Sequence, residues 1–114
     1  MANCIFCRIV ARQIPSTILF ENEKVLAFRD AHPQAPTHIL IIPKIHVERL
    51  STLTPDDLPV VGECVRVANL LAEQEGISKT GYRLVANCGE EAGQSVWHVH
   101  FHLLGGRRLG WPPG

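Results

Sequence analysis

The segment His98-Val99-His100-Phe101-His102, running on into Leu103-Leu104, gathers half of the chain's six histidines into five residues. Side chains of a β-strand alternate between faces, so this spacing predicts three imidazoles on one face and Val99, Phe101 and Leu103 on the other. Neutral imidazole can serve as a nucleophile, a base, an acid or a metal ligand near pH 7. The pattern predicts a reactive site on a strand whose other face is core. The plainer alternative is one functional histidine flanked by two polar surface residues.

Two further constellations could do chemistry. Asn87-Cys88-Gly89-Glu90-Glu91-Ala92-Gly93-Gln94-Ser95 leads directly into the histidine row. Its glycines let backbone amides approach a ligand, and its Asn, Gln and Ser add neutral hydrogen-bonding groups, a combination suited to a phosphoryl group. A plain surface turn uses the same residue types, and the position before the histidines is what favours function. In Cys4-Ile5-Phe6-Cys7, two cysteines three apart can grip one metal ion. A tetrahedral site then needs two more ligands, for which His46 and His98 are candidates; the alternative is a pair of partly buried thiols without metal. Cys64 and Cys88 are isolated and read as small packing residues.

These residues need elements to hold them. A short helix is expected from Cys4 to Ala11. Strands are expected from Thr17 to Phe20 and from Val25 to Arg29, joined by the hairpin turn Glu21-Asn22-Glu23-Lys24. Pro33-Gln34-Ala35-Pro36 is a stiff connection into a strand from His38 to Ile42, ended by Pro43. Thr54 as N-cap, Pro55 in the first turn and Asp56-Asp57 at the positive end of the dipole open a long helix that Gly76 stops. Its stripe Leu58, Val61, Val65, Ala68, Leu71 and Ala72 should face the sheet, leaving Val60, Val67 and Leu70 as surplus apolar surface of the kind that marks an interface. Tyr82 to Ala86 and Val96 to Leu104 complete five strands. The expected class is α+β, with a mainly antiparallel sheet, one short N-terminal helix and one long helix.

Composition narrows the function classes. The 114 residues suit one domain, 1–114, and eleven basic residues balance eleven acidic ones, which argues against a nucleic-acid or membrane footprint. No run is long and apolar enough to span a bilayer, and the N-terminus lacks the regions of a signal peptide. A cytoplasmic protein is the expectation.

Taken in order along the chain, Ile5-Phe6, Leu26-Ala27-Phe28-Arg29-Asp30, Pro33-Gln34-Ala35-Pro36-Thr37-His38, Ile42-Pro43-Lys44, Gly93-Gln94-Ser95-Val96, the histidine row and Gly105-Gly106 leading to Trp111-Pro112-Pro113-Gly114 resemble the histidine triad superfamily. Within it the chain resembles the Hint branch, nucleotide-binding phosphoramidases. Two residues depart from the common vertebrate-type pattern: Trp97 stands where tyrosine is usual, and Ala31 where a larger aliphatic is usual.

The resemblance implies a HIT-like fold and a two-fold homodimer in which helices pair and the two sheets join. The implied activity is hydrolysis of the P–N bond of purine nucleoside 5′-phosphoramidates such as adenosine 5′-monophosphoramidate. It makes His100 the nucleophile that forms a nucleotidyl-histidine, with His102 on a phosphate oxygen, and His38 and His98 completing the histidine set. Ser95 would pass a proton to the leaving amine. Asn87, Gly93 and Gln94 would contact the phosphate and sugar edge, and Asp30 the ribose hydroxyls. Ile5, Phe6, Ile9, Phe28 and Leu40, with Ala31 at the edge, would form the purine slot, and Trp111 would reach across from the partner chain. The cysteine pair resembles the zinc-bearing members found chiefly among bacteria, implying a structural zinc on Cys4, Cys7, His46 and His98 and no organic cofactor. Two other functions stay open: a dinucleoside polyphosphate hydrolase, and a nucleotide-binding, zinc-containing interaction module with incidental activity.

Overall fold

The computed structural model describes residues 3–114. Helix α1 (Ile5–Val10) precedes the strands β1 (Ile18–Glu21), β2 (Val25–Arg29) and β3 (Thr37–Pro43). After two short 3₁₀ turns come helix α2 (Leu58–Gln74) and the strands β4 (Tyr82–Val85) and β5 (Phe101–Gly105). The five strands form one antiparallel sheet in the order β1-β2-β3-β5-β4, with β3 at its centre.

Every residue of β3 is buried, because both faces of the sheet are covered. Val25, Ala27, Ile39, Ile41, Phe101 and Leu103 face α2, while Leu26, Phe28, Leu40 and Ile42 pack with Phe6 and Ile9 of α1. Double burial explains why β3 reads as an unbroken apolar run. The period of two then puts His38 on the α1 face with Leu40 and Ile42, and His102 beside Leu40, its partner across the ladder.

The punctuation around α2 acts as expected at its C-terminal end, whereas Thr54 and Pro55 open a separate 3₁₀ turn and α2 itself starts at Leu58 after Asp57. The Asp57 carboxylate accepts from the Thr54 backbone N–H at 2.9 Å and from its hydroxyl at 3.0 Å, closing a 3₁₀ turn over Pro55–Asp57. Gly76 ends the helix with φ +74°, a left-handed conformation natural to glycine.

The phase of the helix differs from the sequence expectation. Val60, Cys64, Val67, Ala68, Leu71 and Ala72 are buried, whereas Leu58 is 56% and Val65 40% exposed. Val60 and Val67 therefore belong to the core and not to surplus surface. Apolar residues surround the first turns almost completely, so spacing alone does not fix the phase. The buried face carries the small Cys64, Ala68 and Ala72, which let the helix lie close on the sheet.

The last strand is also shorter than expected, since residues 96–100 lie outside the ladder. Ladder pairing with β3 begins at Ile41–Phe101 and with β4 at Val85–His102. Upstream, the Val99 N–H donates instead to the Val47 carbonyl at 2.7 Å. Alternation nevertheless persists, for Val99 is buried in the α2-side core while His98 and His100 meet Phe6 of α1.

Gly106 ends β5 with φ +89°, and a Cβ there would lie 2.9 Å from Cβ of the rigid Pro36 ring. Gly106→Ala should destabilise the fold by about 1–3 kcal/mol, combining left-handed strain with overpacking. A denaturant midpoint measurement checks this.

Candidate active site and metal centre

Two backbone groups set the proton positions of three histidines. The Nδ1 of His100 lies 2.7 Å from the His98 carbonyl, which only accepts, so Nδ1 carries the proton and Nε2 keeps a bare lone pair. At His38 the backbone acts in the opposite sense: the Gln34 N–H donates to Nδ1 at 3.0 Å, placing the ring proton on Nε2. That proton is donated to His102 Nδ1 at 2.9 Å, which leaves His102 with an Nε2–H. The rings of His100 and His102 are 5.0 Å apart, and the Phe6 ring meets His100 edge-on at 5.1 Å. The site is a row of neutral imidazoles with defined donors and acceptors.

Burial keeps them neutral. Desolvation lowers the pKa of His38, His98 and His100 below the usual histidine value, outweighing the nearby Asp30 carboxylate at His38 and His100. His102 is lowered to about 4, first by burial and then by His100 and His38. Asp30 accepts from the His32 N–H at 2.7 Å, and its second oxygen lies 3.4 Å from His38 Nε2. Asp30, His38 and His102 thus come close enough to suggest a metal site. The tautomers argue otherwise, because His38 Nε2 holds the proton it shares with His102. This group is a hydrogen-bond relay.

The second cluster has the opposite character. Cys4, Cys7, His46 and His98 bring one ligand atom each within 4.8 Å of one another. The His98 Nε2 lies 2.8 Å from the Pro43 carbonyl and so carries the proton, leaving the Nδ1 lone pair facing Cys4 Sγ at 3.4 Å and Cys7 Sγ at 3.6 Å. His46 Nδ1 lies 3.3 Å from Cys7 Sγ. Zinc bonds of about 2.3 Å to sulfur and 2.0–2.1 Å to nitrogen in a tetrahedron require S···N edges of about 3.6 Å. The donor set and its spacing therefore fit zinc, with Pro43 fixing the tautomer of His98 from behind. Burial and then the neighbouring Cys4 push the Cys7 thiol up to about 11, and a bound cation would reverse that.

The remaining expected site residues are spread around this core. Phe6, Ile9, Phe28 and Leu40 share one buried cluster, whereas Ile5 is 45% exposed outside it and Ala31 is exposed. Ser95 lines a cavity of about 540 Å³ with Ile5, His46, Glu48, Val96 and Trp97. Asn87 is half-buried before the glycine loop. Gln94 behaves differently from expectation: its amide donates to the Glu48 and Val96 carbonyls at 2.9 and 3.1 Å and accepts from the Gly89 N–H at 2.9 Å. The backbone N–H groups of Gly93 and Gln94 bond to Glu90 and Gly89. Both residues brace the loop. Trp111 stands 82% exposed and joins no buried cluster.

Sequence reasoning missed Pro43, Gln34 and Val47, which act through backbone atoms and carry no side-chain signal. It also read Cys88 as packing. That residue is half-buried, and hydrogen bonds from Ser51, then Arg49, lower its thiol.

One sheet face thus carries a bare imidazole nitrogen, a neutral imidazole relay and an adjoining Cys₂His₂ cluster that could hold a metal ion. The HIT domain family model matches residues 11–109, and the chain belongs to that family. It is 51% identical over 112 residues to a 14 kDa zinc-binding protein of Zea mays, covering 96% of this chain and 87% of that one. It is 49% identical over 106 residues to a purine nucleoside phosphoramidase of Escherichia coli (strain K12), covering 93% and 89%. A HIT family hydrolase from Legionella pneumophila Philadelphia 1 superposes with a TM-score of 0.96 at 50% identity, over 98% of this chain and all of that one.

The lowered histidines make stability depend on pH. Between pH 6.5 and about 4 the unfolded chain binds a proton at His102 that the folded chain refuses, so stability falls as pH falls through this window. Replacing His102 with Asn should flatten that part of a thermal-stability profile against pH.

Proposed function

We propose that the protein is a hydrolase that cleaves the P–N bond of nucleoside 5′-phosphoramidates, with a purine such as adenine as the base. The observation that carries this reading is the 2.7 Å contact between His100 Nδ1 and the His98 carbonyl, which leaves Nε2 free to attack. The similarity to a purine nucleoside phosphoramidase supports the substrate class.

In the first step the His100 Nε2 lone pair forms a bond to the α-phosphorus as the P–N bond breaks. The departing nitrogen takes the Ser95 hydroxyl proton, which a solvent proton replaces, and leaves as a neutral amine. Water then attacks the nucleotidyl-histidine, its oxygen stays on phosphorus, its surplus proton passes to solvent, and the imidazole leaves with its lone pair restored. The products are a nucleoside monophosphate and the amine. His102 donates its Nε2–H to a phosphate oxygen, and its Nδ1 accepts from His38, which keeps that donor in place. The purine lies against Phe6, Ile9, Phe28 and Leu40, between Ile5 and Ala31, while free lone pairs of Asp30 accept the ribose hydroxyls. Asn87 approaches the phosphate and sugar, and Gly93 and Gln94 serve chiefly by shaping the loop that presents Ser95.

Cys4, Cys7, His46 and His98 hold a zinc ion in this reading, supported by their donor geometry and by the similarity to a zinc-binding protein. With all four positions filled by protein, the ion supplies structural cross-linking of α1 to the segment before β5. Four unpaired cysteines agree with a reducing, cytoplasmic setting. No described helix is long and apolar enough to cross a membrane.

The nucleophile is tested directly. His100→Ala should lower kcat on adenosine 5′-monophosphoramidate by at least about 10⁴-fold, leaving the folded far-UV spectrum intact. Turnover within tenfold of the parent would refute the covalent role. Dinucleoside polyphosphates in the same panel test the other hydrolase reading.

A two-fold homodimer belongs to the same proposal. Its support is the unpaired edge of β4, the outward Leu58 and Val65 on α2, and Trp111, which one chain leaves in solvent. Sedimentation at micromolar concentration should give a dimer. Truncation after Gly106 should change leaving-group preference, because Trp111 is assigned to the partner's site.

A further inference from the structure

The stretch that carries the nucleophile is not held by the sheet. Ladder pairing of β5 starts at Phe101, so His98 and His100 depend on other anchors. Three hold the His98–Val99 pair: Val99 N–H to Val47 O at 2.7 Å, His98 Nε2–H to Pro43 O at 2.8 Å, and His98 Nδ1 within 3.4 and 3.6 Å of the two cysteine sulfurs. The carbonyl of this same His98 accepts the Nδ1–H of His100. One residue therefore ends in both centres, its side chain among the metal ligands and its backbone on the nucleophile. Phe6 lies between the ligands Cys4 and Cys7 in sequence, and its ring touches His98 at 5.9 Å and His100 at 5.1 Å.

We propose that zinc bound by Cys4, Cys7, His46 and His98 positions the nucleophile, by clamping His98 so that its carbonyl holds the His100 Nδ1–H and keeps the lone pair on Nε2. This rests on the reading of His100 as the attacking residue. It goes beyond a purely structural staple, because the orientation of one peptide unit decides which nitrogen of His100 is protonated. Without the ion, the His98 ring keeps its hydrogen bond to Pro43 and only weak thiol contacts at 3.4 and 3.6 Å, and α1 is left to the packing of Phe6 for its tie to the segment. A helix of six residues has little stability of its own to replace the tie through the ion. The bond left on the His98 peptide unit, from the Val99 N–H to Val47 O, leads to the neighbour of His46, itself untied from the ion, so the carbonyl loses its fixed direction and His100 divides between tautomers, one of which has no lone pair on Nε2. His98 is a positioning residue in this scheme.

The test compares zinc-loaded protein, protein stripped with a chelator, the stripped protein with zinc restored, and Cys7→Ser. Each is measured for zinc content, far-UV circular dichroism, steady-state kinetics on adenosine 5′-monophosphoramidate and the ¹⁵N–¹H signals of its imidazoles. Zinc loss should lower kcat about 10–100-fold, the usual effect of removing an outer-shell support, with KM little changed. The His100 Nδ1–H resonance should broaden or vanish. Added zinc should restore both in the stripped protein and neither in Cys7→Ser. A stripped, folded protein with its Nδ1–H signal and kcat intact would overturn the proposal. If stripped protein unfolds, cadmium replaces zinc in the folded chain. The larger ion should shift the His100 signal, and an unmoved signal overturns the proposal. If zinc-loaded protein does not turn over the phosphoramidate, the functional reading fails, and the imidazole signals still decide whether the metal positions His100.

Discussion

The contact between the His100 Nδ1–H and the His98 carbonyl sets the polarity of everything around it. It is matched by an opposite contact at His38, where a backbone N–H donates to the ring. One main-chain acceptor and one main-chain donor thus give neighbouring histidines opposite tautomers, and His102 inherits its own from His38. None of these assignments needs a charged ring. Burial makes the neutral state the cheap one, and at His100 it outweighs the His98 carbonyl and Asp30, which both favour the protonated ring. A lone pair at His100 Nε2 and an N–H at His102 Nε2, on rings 5.0 Å apart, are what the proposed attack on phosphorus uses.

The sheet supplies this arrangement through unequal covering of its two faces. The α2 face is sealed by a 17-residue helix carrying small residues that pack closely. The opposite face is covered by α1, only six residues long, together with the histidines. A helix so short gains little from its own hydrogen bonds and must be fixed by its contacts. Phe6 and Ile9 supply the apolar part and the cysteines at 4 and 7 the polar part.

What could be read from the sequence divides along a physical line. Side-chain alternation survives wherever backbone is extended, so His98, His100 and His102 share a face although only His102 lies in the ladder. Caps are local as well, which is why Thr54 and Pro55 mark the turn that leads into α2 and Gly76 marks its end. The phase of α2 was not legible, since two overlapping apolar series share Ala68, Leu71 and Ala72 and only packing on the sheet chooses between them. The start of β5 depends on where β3 and β4 stop, a tertiary fact. Gln94 was legible as a polar loop residue but not as a brace, because its partners are the carbonyls of Glu48 and Val96. Backbone partners leave no residue-type signature.

Charge placement bears on which phosphorus the site accepts. Arg29 is adjacent to Asp30 in sequence, yet its guanidinium pairs with Glu75 at 2.9 and 3.0 Å on the α2 side. Lys44, at the end of β3, pairs with Glu21, and Arg107 donates to the Gln34 carbonyl. Arg49 is engaged with the Trp97 ring. The group beside the bare His100 nitrogen is instead a neutral donor, the His102 N–H, on a ring 5.0 Å away. Neutral donors suit a phosphoryl group bearing one negative charge, whereas a chain of several phosphates calls for cations along its length. An α-phosphorus joined to an amine carries one such charge. On this ground the charge placement supports the proposed phosphoramidate reading over the dinucleoside polyphosphate one.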